Sequence, residues 1–138
     1  MSHASKIHDV LVAGGCAPVE LTDKEVWSWQ KRWREVFARG LHAATGKWVL
    51  HEFDWHVFSY EHHPYVTGDR AWNAYRAIEP CSFIVISAYA HETFGFQCEG
   101  KPPERLKRDI DILVAPTTLD WTMAFTHEGH CGPYFAEP

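Results

Sequence analysis

Side chains able to do chemistry fall into two groups along the chain. His56, Glu61, His62 and His63 form one, and His127, Glu128, His130 and Cys131 the other. Imidazole, carboxylate and thiolate are the usual ligands of zinc, which makes His56, His62, His127 and His130 candidate metal ligands. The spacing argues against such a site. His-Glu-x-x-His, which sets two imidazoles on one helical face, is absent, and His127-Glu128-Gly129-His130 is too short and carries a glycine that disfavours helix. The expectation is no cofactor, with zinc as the alternative. The same groups suit proton transfer, because an imidazole held by a carboxylate can act as a general base. If the chain is an enzyme, His56, His127 and Glu128 are its candidate catalytic residues. Ser59, Thr126 and Cys131 are available nucleophiles. No Gly-x-Ser-x-Gly elbow, protease-type cysteine motif or glycine-rich phosphate loop frames them. The competing structural reading has His51 and His56 hydrogen-bonded within a sheet and His62, His63 and His130 solvated in loops.

Both groups lie in stretches without Lys or Arg. Residues 48–66 and 109–138 together hold eight carboxylates, six of the ten histidines and three of the seven tryptophans. Fixed negative charge among aromatics and imidazoles marks a candidate working surface, with Glu52, Asp54, His56, Asp109, Asp111 and Glu128 as its binding residues. The formal net charge of -5 disfavours nucleic acid as partner and favours a basic protein. A chain of 138 residues, 46% hydrophobic and 22% charged, is that of one globular domain spanning 1–138. No apolar run approaches the roughly 20 residues of a membrane span, and Met-Ser-His-Ala-Ser-Lys lacks the apolar core of a secretory signal. With no Cys-x-x-Cys pair among Cys16, Cys81, Cys98 and Cys131, free thiols and a cytoplasmic location are expected.

The elements that must position these residues follow from periodicity. Residues 5–13 predict a short helix stopped by Gly14-Gly15. Thr22-Asp23-Lys24-Glu25 has capping-box spacing, and Val26, Trp29, Trp33, Val36, Phe37 and Leu41 then line one helical face. From Trp48 to Tyr60 the period becomes two. Val49, Phe53, Trp55 and Val57 alternate with Glu52, Asp54 and His56, as in a long strand that a bulge or turn near Asp54 would interrupt. Residues 67–78 predict a helix that Pro80 closes. Cys81 to Ala90 reads as a central strand, with a turn near Gly95. Asp109 to Ala115 and Trp121 to Thr126 read as a hairpin, after which Tyr134 and Phe135 pack back on the sheet. The expected architecture is α+β: a mainly antiparallel sheet of four to six strands with helices on one face. Glu52, Asp54, His56, Asp109, Asp111 and the threonines would gather on the other face, although the apolar central strand requires some cover there too.

Two blocks carry a family likeness. Phe53-Asp-Trp-His-Val-Phe-Ser-Tyr60, and Asp120-Trp-Thr-Met-Ala-Phe-Thr-His-Glu128 with Gly132-Pro-Tyr-Phe135, resemble an uncharacterised family of small bacterial proteins about this long. The resemblance implies no activity. It singles out Trp55, His56, Ser59, Trp121, Thr126, His127, Glu128, Gly132, Pro133 and Tyr134 without giving them roles. The expected function is an immunity-type protein: small, acidic and cytoplasmic, neutralising a basic nuclease-like toxin through charge steering and aromatic anchors. The alternative is a small enzyme or ligand-binding domain whose aromatic pocket is lined by Trp55, His56, His127 and Glu128.

Overall fold

The capping box forms as its spacing predicts. Thr22 Oγ1 accepts from the Glu25 amide at 3.2 Å and Glu25 Oε1 accepts from the Thr22 amide at 2.9 Å, which starts helix α2 (Asp23–Phe37). Val26, Trp33 and Phe37 are buried along its inner face. The computed structural model describes residues 2–107, 110–128 and 132–138. Around α2 stand α1 (His3–Ala13), α3 (Arg39–Thr45), the single turn α4 (His56–Ser59) and α5 (Gly68–Arg76).

The strands are β1 (Val19–Glu20), β2 (Val66–Thr67), β3 (Cys81–Ser87), β4 (Gly95–Gly100), β5 (Ile112–Pro116), β6 (Thr122–Phe125) and β7 (Tyr134–Ala136). They form one sheet in the order β1-β4-β3-β5-β6-β7-β2, and every pairing is antiparallel. The fold is α+β, as the sequence predicts. The strand count passes the expected four to six because β1 and β2 add two residues each at the two edges, too short to show as alternation. Short edges of this kind also limit pairing with other chains.

Helices cover both faces of the sheet, where one covered face is expected from the sequence. Ile84, Ile86, Leu113, Ala115 and Ala124 pack with Val26, Trp33, Phe37, Leu41, Trp55 and Phe58 on one side. Phe83, Val85, Ile112, Val114, Met123 and Phe125 pack with Ile7 and Leu11 of α1 and Ala71 and Tyr75 of α5 on the other. The reason is the apolar character of alternate and intervening positions alike, which would otherwise leave one face of β3 and β5 in water. Thr122, expected to point outward, is fully buried, where it accepts from Trp33 Nε1 at 2.9 Å and donates to the Val114 carbonyl at 3.0 Å.

Two further expectations are corrected. Residues 48–60 do not form a strand: a reversal at His51-Glu52 and the helical turn α4 replace it, and the alternating pattern survives only in the burial of Trp55 and Val57. Gly95 opens β4 and makes no turn. A side chain there would come within 2.9 Å of Val26 Cγ2 and 3.0 Å of Ile86 Cγ2, so this glycine lets α2 close on the sheet. Tyr134 and Phe135 do return as an anchor, within β7 between β6 and β2. Among the described residues, no helix is long and apolar enough to cross a membrane. Cys16, Cys81 and Cys98 are free thiols.

Candidate functional site

The end of β3, the start of β5 and the end of β6 lie side by side, with Ser87 opposite Ile112 and Ile112 opposite Phe125. Residues just beyond these strand ends therefore meet. Asp111 precedes β5, His127 follows β6, and Ala88 and Tyr89 follow β3. The 50–56 segment is laid along this end by main-chain bonds: Asp54 N donates to Ala88 O at 2.9 Å, and Ala90 N to Glu52 O at 2.8 Å. Trp55 and His56 arrive next to Asp111 and His127 as a result.

Asp111 is the hub. Its Oδ1 accepts from Trp55 Nε1 at 2.8 Å, from the His127 amide at 3.0 Å and from His127 Nδ1 at 2.9 Å. A carboxylate accepts only, so the proton of that last bond lies on Nδ1, and the neutral imidazole keeps its lone pair on Nε2. His127 Nε2 lies 3.8 Å from Glu128 Oε1, beyond hydrogen-bond length. The arrangement has the carboxylate-oriented imidazole that proton abstraction requires. Only 12% of the Asp111 side chain is exposed, against 42% for His127, so the orienting group is shielded and the working one open.

Aromatic rings frame the pair. The His56 ring lies 4.1 Å from that of Trp55, and Phe53 lies 5.9 Å from His56 and 5.1 Å from His127, centroid to centroid. Phe53 also stacks on Tyr89 at 4.8 Å. His56 Nδ1 is 2.8 Å from Ser59 Oγ, one helical turn on. Burial lowers the His56 pKa, and the neighbouring His51 lowers it further, against the pull of Glu128 and Asp111. A histidine with a depressed folded-state pKa binds its proton less well than the unfolded chain. Its contribution to stability is then full above the ordinary value of about 6.5 and is lost as pH falls below it. NMR titration should place the His56 midpoint below that value, and His56→Gln should flatten the fall in stability between about pH 6.5 and pH 5.

The reversal that begins this segment is strained. Leu50 and Phe53 form a bridge closed by Phe53 N donating to Leu50 O, with His51 at φ 48° and Glu52 at φ 71° between them. Two left-handed residues in tandem suit the primed hairpin turns that Asn-Gly favours, and each non-glycine residue there costs roughly 1–2 kcal/mol. Contacts across the turn hold it. Glu52 Oε1 meets His91 Nε2 at 2.7 Å, and the His51 ring packs 5.7 Å from His56 and 5.6 Å from Tyr60.

Of the residues picked out from sequence, Trp55, His56, Asp111, His127 and Glu128 come together. Glu52 lies on the rim, paired with His91. The acidic sheet face expected from the alternation is not built, because helices cover both sides of the sheet. Asp54, expected to point outward, is 4% exposed and bonded by Arg34, whose Nε lies 2.7 Å from Oδ1 and Nη2 3.2 Å from Oδ2. A buried carboxylate needs such a partner, and α2 supplies it. His62 and His63 follow α4 elsewhere: His62 O faces Gly40, and His63 Nε2 meets Glu137 O at 2.7 Å. Asp109, Gly129, His130 and Cys131 lie outside the described residues. Among the described residues, no group of three or more His, Cys, Asp or Glu side chains is placed to hold a metal ion. Sequence reasoning missed His51, Tyr60, Tyr89 and His91 as neighbours of the site. The one signal was His51 itself, which takes the position between Val49 and Phe53 in the otherwise apolar alternate row.

Comparison with curated proteins and with solved structures gives no match. A family model does match, over residues 17–135 of the 138, which include both motif blocks and every residue of the Asp111–His127 hub. With that much of its length accounted for, the chain belongs to the family described as a domain of unknown function, DUF4275.

Proposed function

We propose that the chain is a small ligand-binding domain able to carry out general-base chemistry, with His127 as the base, Asp111 as its orienting carboxylate and His56 and Glu128 beside it. The observation that carries this reading is the hub at Asp111, which fixes the His127 tautomer and leaves Nε2 at an aromatic-framed surface. Such a base would take a proton from a bound hydroxyl, thiol or acidic carbon, and His56, kept neutral near pH 7, would accept or donate a hydrogen bond next to it. Phe53, Tyr60 and Tyr89 would supply the apolar contact that ligand sites use. No metal enters this reading. The cytoplasm is the compartment it assumes, in keeping with the free thiols.

A second reading, an immunity-type protein that docks a basic toxin, is favoured by one observation. The segments without Lys or Arg supply the same end of the sheet, where Glu52 and Tyr60 are exposed. A basic protein surface would find negative charge and aromatic anchors there.

Thermal-shift screening of a metabolite panel against the wild type, His127→Gln and His56→Gln separates these readings. A compound that raises the wild-type Tm and fails on folded His127→Gln supports the ligand site. Stabilisation that survives both substitutions sinks it. Salt-sensitive capture of a basic nuclease domain, unaffected by His127→Gln and weakened by Glu52→Lys, supports the second reading.

A further inference from the structure

A second concavity lies on the outer side of α2, and none of its residues belongs to the Asp111–His127 hub. Lys31, Arg34 and Glu35 from α2 and Trp48 from beyond α3 line a cavity of about 210 Å³. Pockets for drug-sized ligands begin near roughly 300 Å³, so this one has room for a molecule of one ring. The chain brings Trp48 there by turning back after α3. Gly46, at φ 77°, caps that helix with its amide on His42 O, and the Trp48 ring then stacks on His42 with centroids 4.1 Å apart and planes 12° from parallel. Trp48 stays 37% exposed, an aromatic wall whose plane is already set.

The charged lining is of both signs. Lys31 and Glu35 stand one helical turn apart, about 5–6 Å at their Cβ atoms, in the lysine-first order that pairs poorly along a helix. Among the described residues, no side chain pairs with either. The bond to Asp54 engages Nε and Nη2 of Arg34 and leaves Nη1 for a further acceptor. The ammonium and guanidinium call for an anion, the carboxylate for a cation, and the indole for an apolar ring. A ligand of one charge would leave part of this lining facing its own sign. We infer that the cavity binds a free α-amino acid with an aromatic side chain, its carboxylate on Lys31 and Arg34, its ammonium on Glu35 and its ring on Trp48. The inference stands apart from the general-base reading, because it uses none of the same residues.

Titration of L-phenylalanine into nitrogen-15-labelled protein, followed at the Trp48 indole N–H, tests it. Phenethylamine and phenylacetate serve as probes that each lack one of the two charges. L-phenylalanine should saturate with a Kd at or below about 1 mM, and each one-charge probe should bind at least about fivefold more weakly. Lys31→Ala should narrow its lead over phenethylamine, and Glu35→Gln its lead over phenylacetate. Both residues are exposed, so these substitutions leave the core alone, and Arg34 is kept because Asp54 depends on it. An indole signal that stays still up to about 10 mM L-phenylalanine, equal binding of the three probes, or a lead that neither substitution narrows would overturn the inference.

Discussion

Arg34→Ala should destabilise the fold by roughly 3–5 kcal/mol at neutral pH, which urea unfolding would measure. Asp54 has 3% of its side chain exposed, Arg34 has 24%, and two nitrogens of the guanidinium reach two oxygens of the carboxylate. Removing the guanidinium strands a carboxylate where water cannot solvate it. Its position adds to the damage, because Asp54 directly precedes Trp55 and His56 and anchors their segment to Ala88. The effect should depend on pH with a definite sign. Burial already pushes the Asp54 carboxyl up against the pull of Arg34. Without Arg34 the folded-state pKa lies well above the unfolded value of about 3.9, so the folded form binds the proton more tightly and stability falls as pH rises through the folded-state pKa. The deficit of Arg34→Ala should therefore shrink on acidification, as Asp54 becomes a neutral buried acid. A deficit that stays constant or grows toward acid would show that Asp54 is not the group left stranded.

Trp55→Ala should cost a similar amount, about 3–5 kcal/mol, through the loss of a fully buried ring. It packs between Phe53, His56 and Tyr134 on the α2 side of the sheet. Trp55→Phe separates the ring from its N–H group. It keeps most of the packing, leaves Asp111 with one donor fewer, and should cost about 1–2 kcal/mol. If Trp55→Phe proved as damaging as Trp55→Ala, the hydrogen bond to Asp111 would outweigh the packing, the reverse of the expected order.

The sequence made some of this legible and concealed the rest for physical reasons. Local signals with their own energetics read well: the Thr22–Glu25 capping box, the helical row of Val26, Trp33 and Phe37, and the apolar run of β3. The 48–60 segment read badly. Its period of two is real in residue type, but the two left-handed residues that reverse it are a histidine and a glutamate, types that give no turn signal. Gly95 misled in the opposite sense, since a glycine that admits a neighbouring helix looks in sequence like one that makes a turn. The site residues Trp55, His56, His127 and Glu128 were legible as motif members. Their assembly through Asp111 was not, because it depends on the register that sets Ile112 opposite Phe125 and on the long-range hydrogen bonds from Trp55 and His127 that close on Asp111. Asp54 looked like surface charge until α2 brought Arg34 to it, and alternation cannot foresee an ion pair between distant elements.

The central claim is that Asp111 fixes His127 with its proton on Nδ1 and its lone pair on Nε2. Nitrogen-15 NMR of the ring, at a pH where the imidazole is neutral, measures this directly. The wild type should show a protonated Nδ1 and an unprotonated Nε2, and Asp111→Asn should lose that preference while His56 keeps its own pattern. A wild-type ring protonated at Nε2, or ring shifts at His127 that Asp111→Asn leaves unchanged, would contradict it.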